Sequence, residues 1–305
     1  MRTAASSSPV SRAAAGVPGV AEKHESGDPA RPATTLIVNA DDLGETAEIT
    51  RGILDCIDAG VVTSTTILPN MPATELALRE AAARGRRASF GVHLNLCEGP
   101  TLTRAPSLGP GGAFRRKRAQ ALRAFTGRLD PREVEGELRA QIARVRDAGV
   151  QISHLDSHKH LHQLPGVAEI VIGLAGEFGI ERVRCTLEAG APLDGVRPLS
   201  ALSALVRRRL ARRFRRKLAA TALRYPAGTF DLARVLSLPE GARRVDLLRA
   251  AGSPAEMVCH PGTRAADLEK PGSCPRFDEY RFLRSEGFRS LLGRAGARLA
   301  TFWEV

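Results

Sequence analysis

The sequence predicts an α/β fold of the (β/α) barrel-like kind, regular or irregular. The first observation is a helical segment that ends at glycine and precedes a short apolar strand, a unit repeated five times. Glycine after a helix supplies the left-handed cap that turns the chain back. Alternating helices and strands indicate a mostly parallel sheet. An open doubly wound sheet fits this pattern as well as a barrel does. The second observation, polar residues at the carboxyl ends of several strands, favours the barrel.

The repeated units follow one another along the chain. The predicted helices are 47–59, 72–84, 131–148, 165–178 and 278–295, and they are followed by strands 61–68, 88–94, 150–155, 180–185 and 297–302. Two more strands are predicted over Leu36–Val38 and Ala255–Cys259. Residues 98–129 and 195–240 break the pattern, and we expect a long loop or insertion in the first. A Rossmann-like sheet is disfavoured, because the GxGxxG motif that marks such a fold does not follow the first strand.

We expect two parts, a disordered leader over residues 1–34 and a barrel domain over residues 35–305. The leader is rich in Ala, Ser, Pro and Gly and has no apolar signal-peptide core, so it cannot bury enough surface to fold. No apolar run in the chain reaches the roughly 18 residues that a membrane span needs. Five cysteines without a CxxC pair indicate a reducing, cytoplasmic location. Cys97 and Cys259 are expected to be buried and inert.

The net charge of +12 is concentrated in two segments. Residues 115–128 carry six positive charges and residues 201–224 carry nine, and neither segment has an acid. Both lie away from the polar motifs, so we expect no nucleic-acid partner. Apolar residues recur every fourth position at Leu202, Val206, Leu210, Phe214 and Leu218, which predicts an amphipathic helix. We expect it to dock on the barrel, and contact with an anionic membrane through residues 202–218 is the alternative.

Carboxylates and imidazoles stand at the ends of several predicted strands. Asp41 and Asp42 follow the first strand, His93 is late in the third, His158 follows the strand ending near residue 155, and His260 ends another. This is the ligand set of a divalent-metal hydrolytic site. Adjacent carboxylates diverge, so one can bind metal while the other acts as a base. The alternative is that the aspartates cap the next helix.

A second feature is a histidine cluster, because four of the seven histidines lie within residues 154–162. A ligand histidine needs a partner on its other nitrogen, which Asp156 or a neighbouring histidine could supply. Four histidines cannot all bind one metal, so the roles of His154, His160 and His162 stay open. An exposed cluster with adventitious metal binding is the alternative. A ligand set of aspartate and histidine suits Zn, Mn, Fe, Co or Mg and predicts amide or ester hydrolysis.

Five motifs in order resemble the YdjC family of carbohydrate deacetylases, a group with chitooligosaccharide deacetylases and hopanoid-associated relatives. They are Ile37–Gly44, Gly60–Thr66, Gly91–Leu94, His154–His162 and Met257–Pro261. The resemblance implies a barrel-like fold and removal of acetate from an N-acetylated sugar, such as an N-acetylglucosamine oligosaccharide or glycoconjugate. It implies a divalent metal, Mg or Zn, held by Asp42, His93 and His158. It also implies Asp41 as the base and His260 as the acid.

Two stretches, 195–240 and 262–276, do not match the family pattern and leave the sugar open. A metal-dependent phosphoesterase is the enzymatic alternative, although it would more often use two metals and further carboxylates. A lipid-linked amino sugar is the alternative substrate. A binder of RNA or anionic lipid through the basic helix is the non-enzymatic alternative. We also expect a homo-oligomer.

Overall fold

A computed structural model describes residues 34–187, 198–263 and 276–305, and for residues 198–202 the backbone only. The expected disordered leader lies outside the described residues, apart from Thr34, which begins the first strand. The side chain of Leu202 in the predicted apolar stripe and most of the stretch 262–276 also lie outside the described residues.

The described residues form one sheet in which all strand pairs are parallel. Its strands are β1 (Thr34–Leu43), β2 (Ser64–Ile67), β3 (Ser89–Leu94), β4 (Ile152–Ser157), β5 (Gly228–Asp231), β6 (Ala255–Cys259) and β7 (Ala297–Leu299). The order across the sheet is β4-β3-β2-β1-β6-β5, and β7 pairs with the beginning of β1. Consecutive strands are joined through helices, as parallel pairing requires.

A short segment closes the sheet into an irregular barrel. The amide of Arg184 donates to the Leu155 carbonyl in β4 at 2.9 Å, and the Leu155 amide donates back to Arg182 at 3.1 Å. On the other side of the segment, the Thr229 amide in β5 donates to the Leu187 carbonyl at 3.2 Å. The (β/α) barrel-like prediction is therefore confirmed. The segment makes single bridges and no continuous ladder, which is why the strand predicted over 180–185 is not regular.

Ten α-helices of the described residues surround this sheet. They are α1 (Ala47–Asp58), α2 (Thr74–Arg84), α3 (Lys117–Phe125), α4 (Pro131–Asp147), α5 (Val167–Glu177), α6 (Pro198–Leu218), α7 (Leu232–Ser237), α8 (Ala242–Ala250), α9 (Arg276–Leu283) and α10 (Glu286–Ala295). Side chains cap several of them, since Thr46 accepts from the Ile49 amide and Asp130 accepts from the Arg132 amide. None of them is both long enough and apolar enough to cross a bilayer.

Two helix predictions needed correction. Residues 98–129 are not only a loop, because they include α3, which Gln120 fixes by donating to the Leu96 and Leu108 carbonyls. The helix predicted over 278–295 is divided into α9 and α10. The Ser285 hydroxyl donates to the Phe282 carbonyl and accepts from the Phe288 amide, so it ends the first helix and caps the second.

Candidate active site

Polar side chains from four strands meet at the carboxyl edge of the barrel. Asp41 and Asp42 end β1, His93 lies in β3, His158 follows β4 and His260 follows β6. Strands of a parallel barrel end at the same edge, so residues far apart in sequence become neighbours there. The structure brings all five predicted site residues together. Their roles as ligands, base and acid are proposals.

The two aspartates sit on an irregularity of β1. Ala40 pairs with Thr65 and Leu43 pairs with Ile67, so β1 has one extra residue between these pairs. Asp42 has a φ of 74°, which side-chain-bearing residues rarely adopt. Such bulges and strained conformations re-aim side chains at functional sites. The two carboxylates consequently point to different partners, as expected from their adjacency. The helix-cap alternative is not observed, because Thr46 caps α1.

Three buried side chains form a candidate metal-binding group. The Oδ1 atom of Asp42 lies 2.9 Å from Nδ1 of His158 and 3.4 Å from Nε2 of His93. One ligand atom from each of the three residues lies within 4.8 Å of the other two. One carboxylate oxygen and two imidazole nitrogens fit Zn or another divalent ion that keeps bound water.

Each of the two histidines has a carboxylate at its other nitrogen. Nδ1 of His93 lies 2.7 Å from Oδ1 of Asp156, and Nε2 of His158 lies 3.0 Å from Oε2 of Glu98. Such partners fix the orientation of metal-binding histidines and raise their basicity. Burial lowers the pKa of His93, but the charges of Asp156 and Asp41 outweigh it and raise that pKa to about 10. A divalent ion on these nitrogens would replace the positive charge of the protonated rings.

Asp41 is held by a buried arginine. Nη1 and Nη2 of Arg184 lie 2.8 and 2.7 Å from the two carboxylate oxygens of Asp41, and Asn39 donates to Oδ1 at 2.9 Å. Burial raises the pKa of Asp41, but the charges of Arg184 and His93 prevail and hold it well below its usual range. Nε2 of His260 lies 3.9 Å from Oδ2 of Asp41. Asp41 is therefore an ionised carboxylate facing an imidazole.

Arg184 also contacts two further carboxylates. Its side chain is fully buried, its Nη1 lies 2.6 Å from Oδ2 of Asp156, and its Nε donates to Oε1 of Glu256 at 2.8 Å. Asp41, His93 and Asp156 form a second group with metal-ligand spacing. The guanidinium of Arg184 already supplies positive charge there, so this group is a poor second metal site.

Comparison with known proteins decides the family. The profile of the family described as YdjC-like protein matches residues 35–294. The chain belongs to this family. It is 40% identical over 147 residues to a carbohydrate deacetylase of Brevibacillus brevis, a match covering 48% of this chain and 57% of the relative. It is 38% identical over 168 residues to the human carbohydrate deacetylase, covering 52% of this chain and 51% of the relative.

The chain thus spans just over half the length of these relatives. A solved structure from Enterococcus faecalis V583, named for cellobiose-phosphate cleavage, superimposes with a TM-score of 0.65 at 25% identity. That match covers 90% of this chain and 99% of the other. It supports the YdjC-like fold of the barrel.

The sequence did not single out four charged residues of this YdjC-like site: Glu98, Arg184, Glu256 and Arg276. Nη2 of Arg276 lies 2.6 Å from Oδ2 of Asp42 and 2.7 Å from Oε2 of Glu45. Donation from His158, more than any other effect, lowers the pKa of Glu98 to about 2. The available signal was an arginine or glutamate inside an apolar strand segment, as in Val-Arg-Cys and Ala-Glu-Met-Val-Cys. Such charges are almost never buried without partners.

The other histidines of the cluster lie outside the candidate metal group. The His154 ring stacks on Phe302 at a centroid distance of 3.7 Å, and Nδ1 of His162 lies 2.6 Å from the Ser157 hydroxyl. Burial lowers the pKa of His154, His160 and His162. They are neutral side chains, and His162 supports the turn after β4 through its hydrogen bonds with Ser157.

The thiols of the two cysteines near the candidate site are protonated. Cys97 and Cys259 are buried, as expected. Burial raises the pKa of Cys97 to about 11 and holds that of Cys259 well above its usual value. Neither thiol is available as a nucleophile.

Proposed function

We propose that this YdjC-like protein removes acetyl groups from an N-acetylated carbohydrate with the help of a divalent metal. The observation that carries the proposal is the buried Asp42, His93 and His158 group, with Asp41 and His260 beside it. The two relatives named carbohydrate deacetylase support the reaction class and a sugar substrate. An N-acetylglucosamine oligosaccharide or glycoconjugate is the proposed substrate, and a lipid-linked amino sugar is the alternative.

In this mechanism Asp42, His93 and His158 would hold the metal, with Mg or Zn as the proposed ion. When bound, the ion lowers the pKa of water and polarises the amide carbonyl. Asp156 and Glu98 keep the two imidazoles oriented through their other nitrogens. Arg276 fixes the remaining oxygen of Asp42, so only Oδ1 faces the histidines.

Asp41 and His260 are the proposed proton-transfer pair. The Asp41 carboxylate is ionised and accepts the proton of the attacking water. His260 donates a proton to the nitrogen that leaves as the sugar amine. Arg184 holds Asp41 in place by two hydrogen bonds, which fixes the direction in which the base faces.

The test is acetate release from N-acetylglucosamine oligomers and one lipid-linked N-acetylglucosamine, with Mg, Mn, Co or Zn and with a chelator. Asp42→Asn and His158→Ala should lose metal and activity together. Asp41→Asn should bind metal and scarcely turn over. Asp246→Asn, a change of an exposed carboxylate on α8, is the matched control and should behave as wild type. Full activity with retained metal in both ligand variants would refute the proposal.

A sugar-phosphate esterase is the second candidate, favoured by the name of the Enterococcus faecalis structure. The charge of Arg184 at the Asp41, His93 and Asp156 group disfavours the second metal that phosphoesterases often use. Phosphate release without acetate release would favour this candidate. Metal dependence, a cytoplasmic location, a homo-oligomer and membrane contact through residues 202–218 are all proposals.

A further inference from the structure

A basic amphipathic helix lies beside the candidate site. α6 packs against residues 158–163, the turn that begins with His158. Its C-terminal half is anchored, because Phe214 and Leu218 are buried and the Phe214 ring meets the His162 ring edge-to-face at 5.2 Å. Val206, earlier in the same apolar stripe, is 40% exposed. The predicted docking of this helix therefore holds for its second half only.

The shorter helix α3 stands next to α6 at the same turn. Partial burial lowers the pKa of Lys117 at the start of α3, and the nearby charges of Arg207 on α6 and of Lys159 lower it further. Lys159 forms an ion pair with Glu98 at 2.6 Å, and Glu98 contacts His158. The two helices thus flank the residues that lead into the site.

The outward surfaces of both helices are strongly basic. The exposed cations are Arg207, Arg208, Arg209, Arg212, Arg213 and Arg216 on α6, with Arg116, Lys117 and Arg118 at the start of α3. Within residues 34–187, 198–263 and 276–305, none of these cations lies within 4 Å of a carboxylate. In contrast, Lys217 at the inner edge of α6 pairs with Glu169 at 2.7 Å. The described carboxylates therefore offset little of the charge of the outward surface, and the electrostatic interaction of Arg213 with Glu169 is the exception.

The same two helices expose large apolar side chains. Leu122 and Phe125 on α3 are 60% and 53% exposed, and Leu205 and Val206 on α6 are 55% and 40% exposed. In the described part of the chain, these are the large apolar residues with the greatest exposure. Grouped exposed apolar residues mark binding surfaces. Apolar residues beside many cations suit the boundary between headgroups and acyl chains.

We propose that α3 and residues 203–216 of α6, together the basic face, bind the surface of an anionic bilayer. The cations contact anionic headgroups, and the four apolar side chains insert at the acyl boundary. A nucleic acid would use the charges but would leave three aliphatic side chains without a role. The basic face would hold the candidate site close to substrates at the membrane. This contact does not depend on the proposed deacetylase reaction.

The test is sedimentation of the full chain with vesicles of phosphatidylcholine alone or mixed with phosphatidylserine. Binding should require phosphatidylserine and weaken with salt. Arg207→Gln, Arg208→Gln and Arg212→Gln combined should weaken it roughly 100-fold, because each cation near an anionic leaflet contributes about fivefold. The matched control is Arg51→Gln, Arg79→Gln and Arg243→Gln on α1, α2 and α8. It changes the net charge equally and should retain binding.

A second variant separates a membrane from other polyanions. Leu122→Ser with Phe125→Ser leaves the charge unchanged and should weaken vesicle binding at least tenfold while leaving RNA binding unaltered. The proposal is overturned if phosphatidylserine vesicles are not bound or if the control triple loses as much affinity. It is equally overturned if the serine variant binds vesicles like wild type. Acetate release from a soluble sugar should be the same in all variants. Failure of the membrane proposal can therefore be distinguished from failure of the proposed deacetylase function.

Discussion

Replacing Arg184 by methionine should destabilise the protein strongly at neutral pH. The change removes a cation that contacts Asp41, Asp156 and Glu256 at once, with N···O distances of 2.6–2.8 Å. All three carboxylates are buried, so they cannot regain water as a partner. Breaking a buried ion pair from one side costs about 3–5 kcal/mol. Three carboxylates around one removed charge place the expected loss at the upper end of that range.

The matched control is Arg182→Met, two residues earlier. Arg182 is also buried, but its guanidinium donates to the carbonyl oxygens of Trp303 and Val305. It also reaches the exposed carboxylate of Glu181 at 3.5 Å, and losing these contacts together costs about 2 kcal/mol. Urea unfolding at pH 7 should therefore show Arg184→Met as the less stable variant by a clear margin. Arg184→Lys, which restores the charge without the fork of donors, should lie between the two.

The pH dependence gives a second, independent readout. In the wild type the pKa of Asp41 is held below its unfolded value, so its stabilisation is present above about pH 4 and is lost as the pH falls further. Burial already raises the pKa of Glu256 to about 7 with Arg184 in place, and without Arg184 burial also raises the pKa of Asp41. Their destabilisation then grows as the pH rises above about 4. The gap between Arg184→Met and wild type should narrow toward pH 4, whereas the Arg182→Met gap should stay constant. A constant gap for Arg184→Met would refute the reasoning.

Two further predictions concern the contacts of His158 and of His154. Glu98→Gln should weaken metal binding by about 10- to 100-fold, as measured by calorimetry. The reason is that a neutral amide orients His158 less strongly than the carboxylate at 3.0 Å does. Unchanged metal affinity would mean that Glu98 does not orient His158 for metal binding. Gly91→Ala should lower the free energy of unfolding by about 1–3 kcal/mol, because the added methyl would lie 2.5 Å from Cε1 of His154. The control is Gly136→Ala on α4, whose added methyl meets nothing within 4 Å and should stabilise the protein slightly. An unchanged free energy of unfolding for Gly91→Ala would show that the strands can separate there.

The fold was predictable where local chemistry decides it. Glycine after five predicted helices and β-branched residues in most strands are short-range signals, and strand β6 was predicted with its observed bounds, Ala255–Cys259. The predicted strand over 180–185 lacks a regular ladder because its hydrogen bonds are divided between β4 and residue 224. That division depends on barrel closure, which no local pattern encodes. Helix α3 was missed because its arginines and the flanking glycines resemble a loop.

The candidate site was predictable only in part, and for a physical reason. Carboxylates and imidazoles at strand ends are visible in the sequence, because parallel strands end at a common edge. Their charged partners are not visible, since Arg184 and Arg276 reach Asp41 and Asp42 across 143 and 234 residues. The bulge that turns Asp42 to a φ of 74° also follows from pairing with β2. Long-range contacts of this kind require the folded chain.

The position of Arg184 also bears on the choice between reaction classes. Asp41 and Asp156 have the spacing of metal ligands with His93, and Asp42 and His158 have it with the same imidazole. Two metals at these groups would share His93, but Nη1 of Arg184 lies within 2.8 Å of both Asp41 and Asp156. A divalent cation there would have to displace a fully buried guanidinium, whose removal leaves Glu256 unpaired as well. The arrangement therefore favours one metal with an adjacent ionised carboxylate, the pattern that suits water activation beside an amide carbonyl.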